Sequence, residues 1–211
     1  MSEHDSVTLT AKDARRLEEC IAGSGVAVFP ADTVYGLGCD PEDRVAVERL
    51  YALKGRPPAR PAAVMFFSLV AALEALPELG ARERAALEAL LPGPLTLLLP
   101  NPHHRFPLAC GPDPDTLGLR VPLLEGSLAA LRAVRVPLVQ SSANLSGQPD
   151  VRRLADVPPS LRAGAGLVLD GGELPGTAST VVDLRVYEDR GEWHVVRAGP
   201  VDAEDLSRAL D

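Results

Sequence analysis

Short apolar runs closed by glycine or proline recur along this chain, separated by stretches whose apolar residues have helical spacing. That alternation restricts its fold more than any other feature. Residues 26–29, Val-Ala-Val-Phe between Gly25 and Pro30, have the composition of a strand buried on both faces. Before them, Thr10 is positioned to cap a helix with Asp13 at its third position and Ala14, Leu17 and Ile21 on one face. Gly23, Ser24 and Gly25 end it. Similar runs at 62–67, 95–99, 117–121, 136–140, 166–170 and 179–184 predict further strands. The last of these continues toward a hairpin that turns at Asp189, Arg190 and Gly191 and returns over 192–197. Helices are expected after Asp40, with Pro41 at the first position and Val47, Leu50 and Tyr51 inward. Others are expected from Ser68 to about 76, from 81 to about 91, from 127 to about 134, and after Asp202. Residues 30–38 read as a polar turn whose glycines let the backbone approach something closely. Residues 101–115, with four prolines and no periodicity, read as a surface loop. With no repeat and no linker, the pattern specifies one α/β domain built on a mixed sheet.

A length of 211 residues and a hydrophobic fraction of 46% suffice for a single core. No apolar run reaches the roughly 18 residues of a membrane span, and residues 1–10 are polar, so a soluble, cytoplasmic chain without a membrane partner is expected. Cys20, Cys39 and Cys110 lack CxxC spacing and read as reduced thiols. His103, His104 and Cys110 lack ligand spacing, so no metal site is expected. A net charge of −8 and an aromatic content of 4% argue against coating nucleic acid. Neither excludes a small anion, because screening over about 8 Å separates a local cation cluster from distant acids.

Such a cluster is present at residues 54–61, Lys-Gly-Arg-Pro-Pro-Ala-Arg-Pro. The chain has only two lysines, Lys12 and Lys54, and Lys54 stands here with Arg56 and Arg60 in a loop stiffened by three prolines. An ammonium and a guanidinium so spaced can hold several anionic oxygens. By itself the octet also fits a solvated basic turn. Further polar stations follow at predicted strand ends: Asp32 and Thr33, Thr116 and Arg120, Ser142, Asn144 and Ser146, then Ser179 and Arg197. Cations and neutral hydrogen-bonding groups dominate them, and His4, His103, His104 and His194 all lie elsewhere. That selection suits positioning and polarising an anion rather than a triad or an acid/base pair. Neither GxxxxGK[ST] nor a helix-opening GxGxxG occurs.

Six segments, 30–38 (PADTVYGLG), 54–61 (KGRPPARP), 92–96 (PGPLT), 116–122 (TLGLRVP), 141–149 (SSANLSGQP) and 179–183 (STVVD), occur in an order that resembles the Sua5/YrdC/YciO family. The resemblance implies a single α/β domain of the YrdC/RibB-like kind, with a twisted mixed parallel/antiparallel sheet, flanking helices and a concave positive cavity. It implies a domain over 9–211 after a flexible tail at 1–8, and the short form of the family, since longer members append a linker and second domain.

The activity implied is synthesis of threonylcarbamoyl-AMP and pyrophosphate from L-threonine, bicarbonate and ATP, with Mg²⁺ accompanying ATP. A separate transferase would use the product on adenosine 37 of tRNA. By motif position, Thr33, Arg120 and Ser179 should lie at threonine. Lys54, Arg56, Arg60, Thr116, Ser142, Asn144 and Arg197 should surround ATP, with Lys54 and Arg56 catalytic. Ala31 replaces a common threonine, and Met65 replaces a histidine of longer members. Alternative readings are a module binding tRNA or double-stranded RNA, and a YciO-like paralogue of different or weak activity.

Overall fold

Every second residue of the strand Thr116–Arg120 faces the same way, and the two faces differ. Leu117 and Leu119 are fully buried in the core, whereas Thr116, Gly118 and Arg120 line an open concavity. The neighbouring strand Leu95–Pro100 repeats this division, with Leu95, Leu97 and Leu99 on the core side and Thr96 and Leu98 on the concave side. The sheet therefore carries both the core and the candidate site.

The computed structural model describes residues 7–57 and 59–210. The start of the expected tail at 1–6, Pro58 of the cationic octet and the terminal Asp211 lie outside these residues. Among the described residues the strands are β1 (Ala27–Pro30), β2 (Tyr35–Cys39), β3 (Ala63–Met65), β4 (Leu95–Pro100), β5 (Thr116–Arg120), β6 (Leu138–Ser142), β7 (Leu167–Val168), β8 (Thr180–Asp183) and β9 (His194–Arg197). They form one sheet in the order β7-β1-β2-β6-β3-β5-β4-β8-β9. The pairs β1/β7, β3/β5 and β4/β8 are parallel and the remainder antiparallel, so the sheet is mixed, as expected.

Local chemistry accounts for several elements. The helix α1 (Ala11–Ala22) starts at the predicted capping box, where the Asp13 carboxylate accepts from the Thr10 backbone N–H at 3.0 Å and its hydroxyl at 2.7 Å. Ala14, Leu17 and Ile21 are its buried face. Ser68 caps α3 (Leu69–Ala75) by accepting from Ala71 N–H, and Asp202 accepts from Asp205 N–H at the start of α8 (Ala203–Leu210). Between them, α4 (Ala81–Leu90) buries Ala86, Leu87 and Leu90.

Six expectations are corrected. Residues 30–38 are the tip and second strand of a β1–β2 hairpin, with Phe29 opposite Gly36 and Pro30 opposite Tyr35. The glycines are needed there, since a Cβ on Gly38 would come within 2.9 Å of the Phe29 ring. The next helix, α2 (Arg44–Lys54), is capped by Asp43, which accepts from Val45 and Ala46 N–H, while Asp40 accepts from Glu42 N–H in the preceding turn. Residues 101–115 are anchored inside: Asn101 is buried, and α5 (Pro107–Cys110) buries Ala109 and Cys110. The link from β8 to β9 contains a helical turn, α7 (Tyr187–Arg190), closed by Gly191 at φ 68°, so residues 189–191 do not form a hairpin turn. The run at 166–170 pairs over only Leu167–Val168, and residues 126–133 wind as a 3-10 helix.

Candidate functional site

The concave face holds a cavity of about 360 Å³. The centre of its floor is the small pair Ala63 and Gly118, which lie opposite each other with Gln140 opposite Ala63 and Leu98 opposite Gly118. Small residues at the centre of the sheet leave room that larger neighbours would fill. Polar side chains from β4, β5, β6, β9 and the connecting segments that carry Arg56, Asp113, Asp150, Ser179 and Arg185 close around that floor.

One corner is charge-compensated. The Arg120 guanidinium donates from Nη2 to Asp32 Oδ1 at 2.8 Å and to Thr33 Oγ1 at 3.2 Å, and from Nη1 to Gln140 Oε1 at 3.1 Å. The side chains of Arg120 and Asp32 are each 4% exposed. Burial pushes the Asp32 carboxyl up and the Arg120 guanidinium down from their ordinary values, and their mutual attraction opposes both shifts. Asp32 Oδ2 also accepts from Leu123 N–H, which ties the hairpin tip to the end of β5. The Nε of Arg120 is buried without a partner.

Other cations at the cavity have neutral partners. Arg56 donates to the carbonyls of Arg60 and Pro61 and, at 3.3 Å, to Ser141 Oγ, with its guanidinium 5.7 Å from the Tyr51 ring centroid. Arg197 donates to Ser179 O at 2.8 Å and Ser179 Oγ at 3.1 Å, and Ser179 Oγ lies 2.8 Å from Thr96 Oγ1. Lys54, 3% exposed, donates to Ser142 O at 2.5 Å, Asn144 Oδ1 at 2.5 Å and Asn144 O at 2.9 Å. Among the described residues, none of these three cations has a carboxylate within ion-pairing distance. Burial, then the Arg56 charge, lowers the Lys54 ammonium to about 8, with Asp150 opposing. Arg185, a further wall residue, is compensated by the buried Asp183 and reaches Thr116 Oγ1 at 3.5 Å.

Of the residues selected from sequence, Arg56, Thr116, Arg120, Ser142, Ser179 and Arg197 line the cavity together. Thr33 stands behind them as a partner of Arg120. Lys54 and Asn144 are also behind the wall: Lys54 clamps the loop after β6, with Ser146 N–H returned to the Lys54 carbonyl at 2.9 Å. Arg60 is exposed and contributes its carbonyl to Arg56. Ala31 and Met65 are fully buried and are not among the wall residues. Sequence reasoning passed over Thr96, Asp113, Gln140, Ser141, Asp150 and Arg185. For Thr96 and Gln140 a signal was present, a polar residue inside an otherwise apolar strand run, which calls for a partner or a ligand.

These features define a class, an α/β domain with an arginine- and hydroxyl-lined cavity on its sheet. The family model Sua5_yciO_yrdC, described as telomere recombination, matches residues 19–199. A threonylcarbamoyl-AMP synthase of Chromohalobacter salexigens is 36% identical over 183 residues, covering 83% of this chain and 96% of its own. One from Pyrococcus abyssi is 31% identical over 188 residues, covering 88% of this chain and 53% of its own, so the chain spans about half the length of that relative. The crystal structure of P. abyssi Sua5 complexed with L-threonine superposes with a TM-score of 0.82 at 30% identity, over 95% of this chain and 58% of that one. The chain belongs to the Sua5/YciO/YrdC family.

Proposed function

We propose that the cavity is the catalytic centre of a threonylcarbamoyl-AMP synthase, a nucleotidyltransferase acting on L-threonine, bicarbonate and ATP. The observation that carries this reading is the convergence of two uncompensated guanidiniums, Arg56 and Arg197, with the hydroxyl residues Thr116, Ser141, Ser142 and Ser179 on one cavity. The names of the relatives and the threonine bound by a relative of the same fold support it.

Threonine and bicarbonate combine to a carbamate, whose oxygen attacks the α-phosphate while pyrophosphate leaves. The transferring group gains little from a base and much from fixed positive charge and donors. Arg56 and Arg197 supply that charge, held in place by carbonyls and hydroxyls that do not neutralise it. Thr116 and Ser142 offer hydroxyls to ATP. Lys54 and Asn144 act as positioning residues that hold the loop bearing Ser142. Thr33, Arg120 and Ser179 form the threonine end, and Arg60 joins the phosphates from outside the wall. Mg²⁺ enters with the triphosphate as part of the substrate. The wall carboxylates Asp113 and Asp150 and the phosphate oxygens suit a hard cation, and among the described residues no group of three or more His, Cys, Asp or Glu could hold it alone. The adenylate then passes to a separate transferase for tRNA.

Pyrophosphate release from ATP and bicarbonate, compared with no amino acid, L-threonine and L-serine, tests the reading. Threonine-dependent release with threonylcarbamoyl-adenylate seen by mass spectrometry is expected, together with a loss of about 10²-fold or more in Lys54→Ala. ATP binding without threonine-dependent release would leave the paralogue reading instead.

A further inference from the structure

Arg185 lies two positions beyond the 179–183 segment, outside all six segments that mark the family, and its side chain is part of the cavity wall. The buried Asp183 holds it along one edge. Nε donates to Oδ1 and Oδ2 at 3.0 Å each, Nη2 to Oδ2 at 2.5 Å, and the Arg185 backbone N–H to Oδ1 at 2.9 Å. His194 Nε2 stands 3.3 Å from the same Oδ2. With Nε and Nη2 fixed, the planar guanidinium leaves Nη1 no choice of direction. It faces the Thr116 hydroxyl at 3.5 Å, the outer limit of a hydrogen bond, and neither Nη1 nor Thr116 Oγ1 has a closer partner among the described residues. Two donors so spaced can both reach one anionic oxygen placed between them.

Position along the sheet identifies that oxygen. Thr116 opens β5 and Arg120 ends it, so about 13 Å of strand separates them. The proposed threonine end lies at Arg120. In an in-line displacement at the α-phosphate, the carbamate enters on one side and pyrophosphate leaves on the other. A carbamate arriving from the Arg120 end therefore sends the leaving group toward Thr116 and Arg185. Asp113, whose carbonyl accepts from Thr116 N–H and whose charge acts on Arg185, lines the same end and suits the cation that travels with the phosphates. Compensation by Asp183 also suits a departing product: the fork offers directed N–H groups without the net charge that would retain pyrophosphate. We propose that Arg185, oriented by Asp183, binds the pyrophosphate leaving group together with Thr116; this rests on the synthase reading above.

Calorimetric titration of the full chain with magnesium pyrophosphate and, separately, with AMP tests the placement, because AMP keeps the α-phosphate and lacks the leaving group. Arg185→Met, checked for folding by circular dichroism, should weaken pyrophosphate binding about tenfold or more and leave AMP binding unchanged. If that variant does not fold, Thr116→Val carries the same comparison with the same expected direction. In turnover followed by threonylcarbamoyl-adenylate, the folded variant should raise the KM for ATP and not the KM for threonine. A merely structural role for Arg185 would weaken pyrophosphate and AMP together. Equal weakening of the two, unchanged pyrophosphate binding in a folded variant, or a wild type that binds no pyrophosphate overturns the proposal. A wild type that binds pyrophosphate but makes no threonylcarbamoyl-adenylate overturns the synthase reading, and the leaving-group role with it.

Discussion

Arg120 on one hand and Arg56, Lys54 and Arg197 on the other use the same kinds of cation in opposite ways. At Arg120 a buried carboxylate cancels the charge, and the guanidinium becomes a rigid post joining the hairpin tip, β5 and β6. The other three cations are held by carbonyls, hydroxyls and an amide oxygen, which fix geometry without cancelling charge. Partner type, not residue type, separates a neutralised cation from an uncompensated one.

The largest expected effect breaks the compensated corner. Asp32→Ala leaves the Arg120 charge buried and unpaired, and should cost about 3–5 kcal/mol of stability by denaturant unfolding. A change below about 1 kcal/mol would show that Arg120 does not depend on Asp32. The converse holds at Arg197, where Arg197→Ala should lower threonine-dependent pyrophosphate release by about 10²-fold while moving stability by about 1 kcal/mol or less. Loss of both in equal measure would erase the contrast. At Arg56 the charge can be kept while the planar fork is removed: Arg56→Lys is expected to lower kcat/KM about tenfold, because a single ammonium nitrogen lacks the spread of the three guanidinium nitrogens that bond Arg60, Pro61 and Ser141.

Lys54 gives the comparison a pH dependence. In the fold its ammonium loses its proton near pH 8, whereas the unfolded chain holds it to about 10.5. Between those values the unfolded state binds more protons, so the Lys54 contribution to stability rises with pH across that window. The clamp on Ser142 and Asn144 loses a donor over the same window, so activity should fall above about pH 8 while thermal stability, measured against Lys54→Met, does not. A parallel decline of both would contradict the assignment. The smallest effect belongs to the surface: Arg208→Ala removes exposed pairs with Glu204 and Asp205 and should change stability by no more than about 0.5 kcal/mol.

Elements governed by neighbours in the chain were legible in advance. The Thr10/Asp13 capping box, the Ser68 cap and the doubly buried run at 26–29 each depend on residues a few positions apart. Where two local solutions compete, the reading slipped: Asp40 and Asp43 both suit a cap, and only the second meets free N–H groups of α2. The 30–38 segment looked like a turn because glycine is rare in strands. Its second half belongs to β2, where Gly36 and Gly38 admit the Gln140 amide and the Phe29 ring. For the site, the basic octet and the Ser/Asn loop stood out by composition, while Gln140, Thr96 and Arg185 did not.

Sequence alone therefore determined the alternation of strands and helices, the single mixed-sheet domain and about half of the polar residues that meet at the cavity. Tertiary structure decided which of the cations are neutralised. Lys54 meets Ser142 and Asn144 across 88 and 90 positions, and Arg120 meets Asp32 across 88. Capping and periodicity act within a few residues, whereas the charge felt by a ligand depends on which carboxylates and carbonyls the closed sheet brings within bonding distance.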